Sequence, residues 1–102
     1  MDFMKNKSVL ITGGTGSLGH AITKFLINNC SLKRLVIFSR DEFKQFNMSQ
    51  TFPESKYPFI RYFIGDVRDK DRVKKAFANI DIVIHAAAMK IVPSAEYNPS
   101  EC

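Results

Sequence analysis

Residues 8–19 read SVLITGGTGSLG. Residues 8–11, with Thr12, form a short run of branched apolar side chains closed by glycines, the pattern of a buried strand. Beyond the glycines, Leu18, Ala21, Ile22, Phe25 and Leu26 recur at i, i+3, i+4, i+7 and i+8, which marks one face of an amphipathic helix. A strand that runs through a glycine turn straight into a helix is half of a crossover unit.

The rest of the chain supplies the other halves. Residues 34–38, 59–64 and 80–84 read as further strands. Residues 41 to about 52 read as a helix with Phe43 and Phe46 facing inward. Residues 69–78 read as another, with Val73, Ala76 and Phe77 on its apolar side. Alternation of this kind predicts an α/β fold, a partial doubly wound (Rossmann) parallel sheet with helices on both faces. Right-handed crossovers restrict the topology, and the commonest solution has strand order 3-2-1-4.

Composition narrows the function. With 102 residues the chain is one small domain, and 45% hydrophobic content makes it globular. The net charge of +5 is spread along the sequence, with short pairs only at Lys33-Arg34 and Lys74-Lys75. Scattered charge is a solvated surface, so no nucleic acid and no membrane is expected as a partner. Cys30 and Cys102 stand far apart and neither has a histidine at zinc-ligand spacing. They make neither a disulfide framework nor a metal site, and a reducing, cytoplasmic setting fits them.

Gly13, Gly16 and Gly19 are spaced G-x-x-G-x-x-G in the strand–turn–helix context. One glycine permits the tight turn, the next lets backbone approach a pyrophosphate, and the last lets the helix pack closely. The helix start then offers N–H groups to the phosphates, and Thr15 and Ser17 add hydroxyl donors. An ordinary tight turn is the plain alternative. A Walker A loop is excluded, since no Gly-Lys-Ser/Thr follows.

About 20 residues past the glycines, an NAD-binding fold places an acid that holds the ribose hydroxyls. Here Ser39-Arg40 stands at that point. A guanidinium suits a 2′-phosphate by charge and by its planar fork, and Lys44 adds charge one turn on. These residues predict NADP. Asp41 argues the other way, because an acid beside Arg40 can reach a ribose hydroxyl. Ser39-Arg40-Asp41-Glu42 is also S-x-x-E, a capping box in which Ser39 caps a helix. Asp66 follows the third strand, where a carboxylate can accept from the adenine amine, while Asp69 is the better helix cap. His85-Ala86-Ala87-Ala88 ends the fourth strand at the switch point, where small residues let a cofactor approach. His85 reads as a hydrogen-bonded histidine, and Lys90 either enters the cleft or is solvated.

The stretches ITGGTGSLG, FSRDEFKQF, FIGDVRDKDRV and DIVIHAAAMKIVPSAEYNP cover nearly all of the chain. On these the sequence resembles the extended short-chain dehydrogenase/reductases, and within them the UDP-N-acetylglucosamine 4,6-dehydratases of bacterial polysaccharide biosynthesis. The resemblance implies a lyase that holds NADP, takes a UDP-sugar as substrate and works as a homo-oligomer. It implies cofactor contacts at Thr15, Gly16, Ser17, Leu18, Ser39, Arg40, Asp41, Glu42, Phe43, Lys44, Asp66, Val67, Ala86 and Lys90, with Lys90 also touching substrate. Met89 and Ile91 depart from the family pattern and bear on substrate preference.

The superfamily's Tyr-x-x-x-Lys pair is not found. Tyr57, Tyr62 and Tyr97 have Arg61, Asp66 and Glu101 four positions on. No catalytic residue is therefore assigned. Residues 1–102 are expected to be the N-terminal, NADP-binding portion of a larger enzyme, with the fourth strand an unpaired edge that invites association. The alternatives are a non-catalytic NADP(H)-binding module and a nucleotide-sugar epimerase or reductase.

Overall fold

A computed structural model describes residues 2–86 and 90–93. After a 3-10 turn over Asp2–Met4 the elements are β1 (Ser8–Thr12), α1 (Ser17–Asn29), β2 (Arg34–Ser39), α2 (Glu42–Thr51), β3 (Ile60–Ile64), α3 (Lys70–Phe77), β4 (Ile82–His85) and β5 (Lys90–Pro93). They form a sheet of order β3-β2-β1-β4-β5. The first four strands are parallel, so the predicted 3-2-1-4 order stands. Among the described residues no helix is long and apolar enough to cross a membrane.

Alternation along the strands divides the core in two. Val9, Ile11, Leu35 and Ile37 turn to the face that packs against Leu26 of α1 and Met48 of α2. Leu10, Val36 and Phe38 turn to the other face, against Val73 and Ala76 of α3. With side chains buried on both faces, β1 is buried at every position, as expected of a strand inside a parallel sheet.

Three expectations change. The fourth strand is not an edge: β5 pairs with it antiparallel, from Ile82↔Pro93 to His85↔Lys90. The open N–H and C=O groups of β4 find their partners in the segment that follows, and the edge passes to β5, where Pro93 is tolerated. On α1 the buried residues are Gly19, Thr23 and Leu26. Leu18 and Phe25 remain exposed and line an apolar groove with Ala21, Ile22, Ile84 and Ile91.

On α2 the expected face is reversed, with Phe43 73% and Phe46 62% exposed. Gln45, Met48 and the C-cap Phe52, at i, i+3 and i+7, are the buried set. A residue two positions along a helix points to nearly the opposite side, so burying Gln45 turns Phe43 outward. Phe43→Ser and Phe46→Ser are therefore expected to change unfolding free energy by no more than about 0.5 kcal/mol. Met48→Ala removes a fully buried side chain and is expected to cost about 3 kcal/mol. Urea unfolding of the three variants distinguishes this orientation from the reverse.

Candidate functional site

At the carboxyl ends of β1, β2 and β3 lies a cleft of about 570 Å³. Its floor is the glycine turn, through Thr12, Gly13, Thr15 and Gly16. Gly13 makes the turn with φ of 64°, a left-handed conformation that suits glycine. Its N–H donates to Phe38 O at 3.0 Å, which ties the turn to β2. Gly19 serves close approach: a Cβ there would overlap the backbone of Gly14. The helix thus packs against its own entry turn, a finer version of the role expected of the last glycine.

The start of α1 is open. Its N-cap is Gly16, which makes no side-chain cap bond, and no acid sits in the first turn. By contrast α2 and α3 are capped by Asp41 and Asp69, with Glu42 and Asp71 in their first turns. Those carboxylates satisfy N–H groups and oppose the positive end of the dipole. In α1 that end faces the cleft without such a partner.

The wall is made by Ser39, Arg40, Asp41 and Lys44 from the β2–α2 junction and by Gly65, Asp66, Val67 and Arg68 after β3. Gly65 N donates to Ser39 O at 2.9 Å, holding the two strand ends together. The capping box is not formed. Ser39 is still strand, and the cap is Asp41, whose Oδ1 accepts from Lys44 N at 3.0 Å. Sheet pairing to Ile64 keeps Ser39 extended, so the helix starts two residues later. The Asp41 carboxylate, which would have favoured NAD, is engaged in this cap.

Asp66 is not free either. Its carboxylate accepts from Arg68 N at 2.8 Å, from Arg68 Nη2 at 2.7 Å and from Arg68 Nε at 3.1 Å. Arg40 Nη1 stands farther off, at 3.7 Å. The Arg68 hydrogen bonds, with the charges of Arg68 and Arg40, hold the Asp66 carboxyl well below the usual carboxylate range. The same contacts raise Arg68 above its ordinary value. Because the folded-state value of Asp66 is depressed, its stabilisation is present at neutral pH and is lost only as pH falls below the ordinary carboxylate range of about 4. The arginines are 70% and 72% exposed, so this is a device for orientation more than for stability.

Thr12, Phe38, Gly65 and Arg68 line the cleft without having been expected there, and Arg68 is the charged one among them. The signal was the Asp66-x-Arg68 spacing, which lets a side chain fold back on a carboxylate two residues earlier. Of the expected contacts, Gly13, Thr15, Gly16, Ser39, Arg40, Asp41, Lys44, Asp66 and Val67 meet in the cleft. Ser17 and Leu18 stand exposed at the start of α1, with Gly19 buried behind them. Glu42 and Phe43 lie on the exposed first turn of α2, outside the cleft lining. Ala86 is buried in the core and donates its N–H to Thr12 O at 3.1 Å. Ala87 lies outside the described residues, and Lys90 is placed by its backbone, in β5 opposite His85.

Beside the turn, Thr12 Oγ1 and His85 Nδ1 are 2.8 Å apart, so the histidine is hydrogen-bonded as expected. Tyr62 donates its phenol to Phe52 O at 2.6 Å, and burial, with a smaller push from Glu54, raises its pKa to about 12. It remains a phenol at neutral pH.

The chain is 57% identical over 96 residues to a UDP-N-acetylglucosamine 4,6-dehydratase (inverting) of Campylobacter jejuni, covering 94% of this chain and 28% of that protein. It is 44% identical over 99 residues to a UDP-glucose 4-epimerase of Rickettsia bellii, again with 94% and 28% covered. The X-ray structure of Pen from Bacillus thuringiensis superposes with a TM-score of 0.76 at 47% identity, over 97% of this chain and 31% of that one. The chain thus spans about 28% of the length of these curated relatives. A family model for polysaccharide biosynthesis proteins matches residues 9–102, all but the first few, and the chain belongs to that family.

Proposed function

We propose that residues 1–102 are the NADP-binding portion of a nucleotide-sugar 4,6-dehydratase that acts on UDP-N-acetylglucosamine. The observation that carries this is the single cleft joining the uncapped start of α1 to the cations Arg40, Lys44 and Arg68. The donor set fits the cofactor at both ends. Open backbone N–H groups suit a pyrophosphate, and guanidinium and ammonium groups suit a 2′-phosphate. Thr15, Gly16, Ser17 and Leu18 would hold the pyrophosphate, Ser39, Arg40 and Lys44 the 2′-phosphate, and Asp66 and Val67 the adenine. Lys90 would serve the sugar side.

Bound NADP supplies reversible hydride acceptance, which 4,6-dehydration needs at its beginning and end. This chain's residues bind and orient. The Tyr-x-x-x-Lys pair of the superfamily is not in the sequence, and Tyr62 donates its hydrogen bond to a backbone carbonyl. Proton transfer belongs to the rest of a family-length protein, which we place in the cytoplasm as a homo-oligomer on the strength of the resemblance.

Titration of the chain with NADPH and NADH tests the cofactor assignment. About tenfold tighter binding of NADPH is expected, and equal affinities would overturn it. Mass spectrometry tests the substrate, with family-length protein incubated with UDP-N-acetylglucosamine. A product lighter by one water supports dehydration. The 44% identity to an epimerase sustains a second reading, under which the product keeps its mass.

A further inference from the structure

Gln45 and Met48 are the buried residues of α2, and Gln45 is only 4% exposed. Its amide nitrogen lies 2.9 Å from Ser39 Oγ and 3.0 Å from Phe63 O. Ile37 O and Ser39 O stand at 3.4 and 3.5 Å. Carbonyl oxygens accept and never donate, so this end of the side chain is the NH2 group, and its two protons go to the two near acceptors. One amide therefore joins α2 to the ends of β2 and β3, where Arg40 and Asp66 leave the sheet.

The bond to Ser39 also has a polarity. A hydroxyl has one proton and two lone pairs. Gln45 takes a lone pair of Ser39 Oγ, so the Ser39 proton points away from the amide. Among the described residues Ser39 Oγ donates no hydrogen bond of its own, and Ser39 lines the cleft beside Arg40 and Lys44. A phosphate oxygen only accepts, whereas a ribose 2′-hydroxyl also donates, so a fixed donor favours the phosphate.

We propose that Gln45 is a positioning residue that acts through Ser39: it holds the hydroxyl as a donor into the cleft and so adds to selection of a 2′-phosphorylated dinucleotide. This rests on the assignment of NADP to the cleft. With an apolar side chain at position 45, the Ser39 proton turns back to the carbonyls that the amide has vacated.

The test is a double-mutant cycle in the 102-residue chain. Affinities for NADPH and NADH are measured for wild type, Gln45→Met, Ser39→Ala and the pair, together with melting temperatures. Each single substitution is expected to lower the NADPH preference about fivefold, and the pair to lower it no further than Ser39→Ala alone. If Gln45 merely supports the fold, Gln45→Met lowers melting temperature and weakens both cofactors alike, leaving the preference intact, and the proposal falls. Additive losses overturn it as well. Should Gln45→Met not fold, Ser39→Ala decides by itself, since an unchanged preference there removes the group through which Gln45 acts. Equal wild-type affinities sink the cofactor assignment and this proposal together. A wild-type preference that survives in Gln45→Met sinks the proposal alone.

Discussion

Arg40→Asp is expected to weaken NADPH binding about 100-fold and to change NADH binding by less than about threefold. The substitution removes a charge-assisted fork and sets a carboxylate beside Asp41 and Asp66 on the cleft wall. Loss of paired charged hydrogen bonds and the new repulsion together amount to about 3 kcal/mol. On the proposed reading the effect falls on the 2′-phosphate, because the pyrophosphate would meet the glycine turn and the adenine would meet Asp66 and Val67. Arg40 is 70% exposed, and among the described residues its one ion-pair contact, with Asp66, stands at 3.7 Å, so folding stability should hardly move. Calorimetric titration with both cofactors, alongside a thermal melt, reads the three quantities. An equal loss for NADH would show that Arg40 supports the cleft as a whole.

The second large effect separates two glycines of one turn. Gly19→Ala places a methyl group on the backbone of Gly14, where no flexible side chain can give way. Helix and turn must part, and a loss of about 3 kcal/mol of stability is expected, with weakened binding of both cofactors. At Gly16 a Cβ would meet only Gly13 O, at 3.9 Å, an ordinary contact. Gly16→Ala should therefore fold as well as wild type. Gly16 lines the cleft, however, so the methyl group stands where a pyrophosphate would approach. About tenfold weaker binding of both cofactors is expected with an unchanged melt. Denaturant unfolding and titration of the two variants give opposite patterns if the turn has these two duties. Similar stability loss in both would remove the distinction.

The strands were legible because a parallel sheet buries both faces, which leaves runs such as residues 9–11 and 35–38 apolar without interruption. Helix faces were less so. In α2 hydrophobicity pointed to Phe43 and Phe46, but the buried position belongs to Gln45, whose amide finds acceptors on two strand ends. No scale of apolar character marks a polar residue that a fold can satisfy. In α1, Gly19 is buried because close approach to the Gly14 backbone leaves no room for a side chain, which no such scale records either. The hairpin of β4 with β5 was missed because pairing to an edge depends on what the sheet lacks, which local pattern does not record.

Within the cleft, Arg40 was found by its distance from the glycines, since the path length along strand and helix fixes where the chain returns, and Asp66 by its place just after the third strand. The cap was misplaced from Ser39 to Asp41 by the length of a strand, because sheet pairing and capping compete for the same residue. Arg68 escaped because its place depends on a turn conformation that a carboxylate two residues earlier stabilises.

Every described residue that lines the cleft falls between Thr12 and Arg68. During synthesis, then, this described lining leaves the ribosome as one uninterrupted stretch, before β4 has been made. A dinucleotide that prefers the ordered form of that stretch would add RT ln(1 + [L]/Kd) to its stability, and the ligand itself would become an early folding aid for the nascent protein.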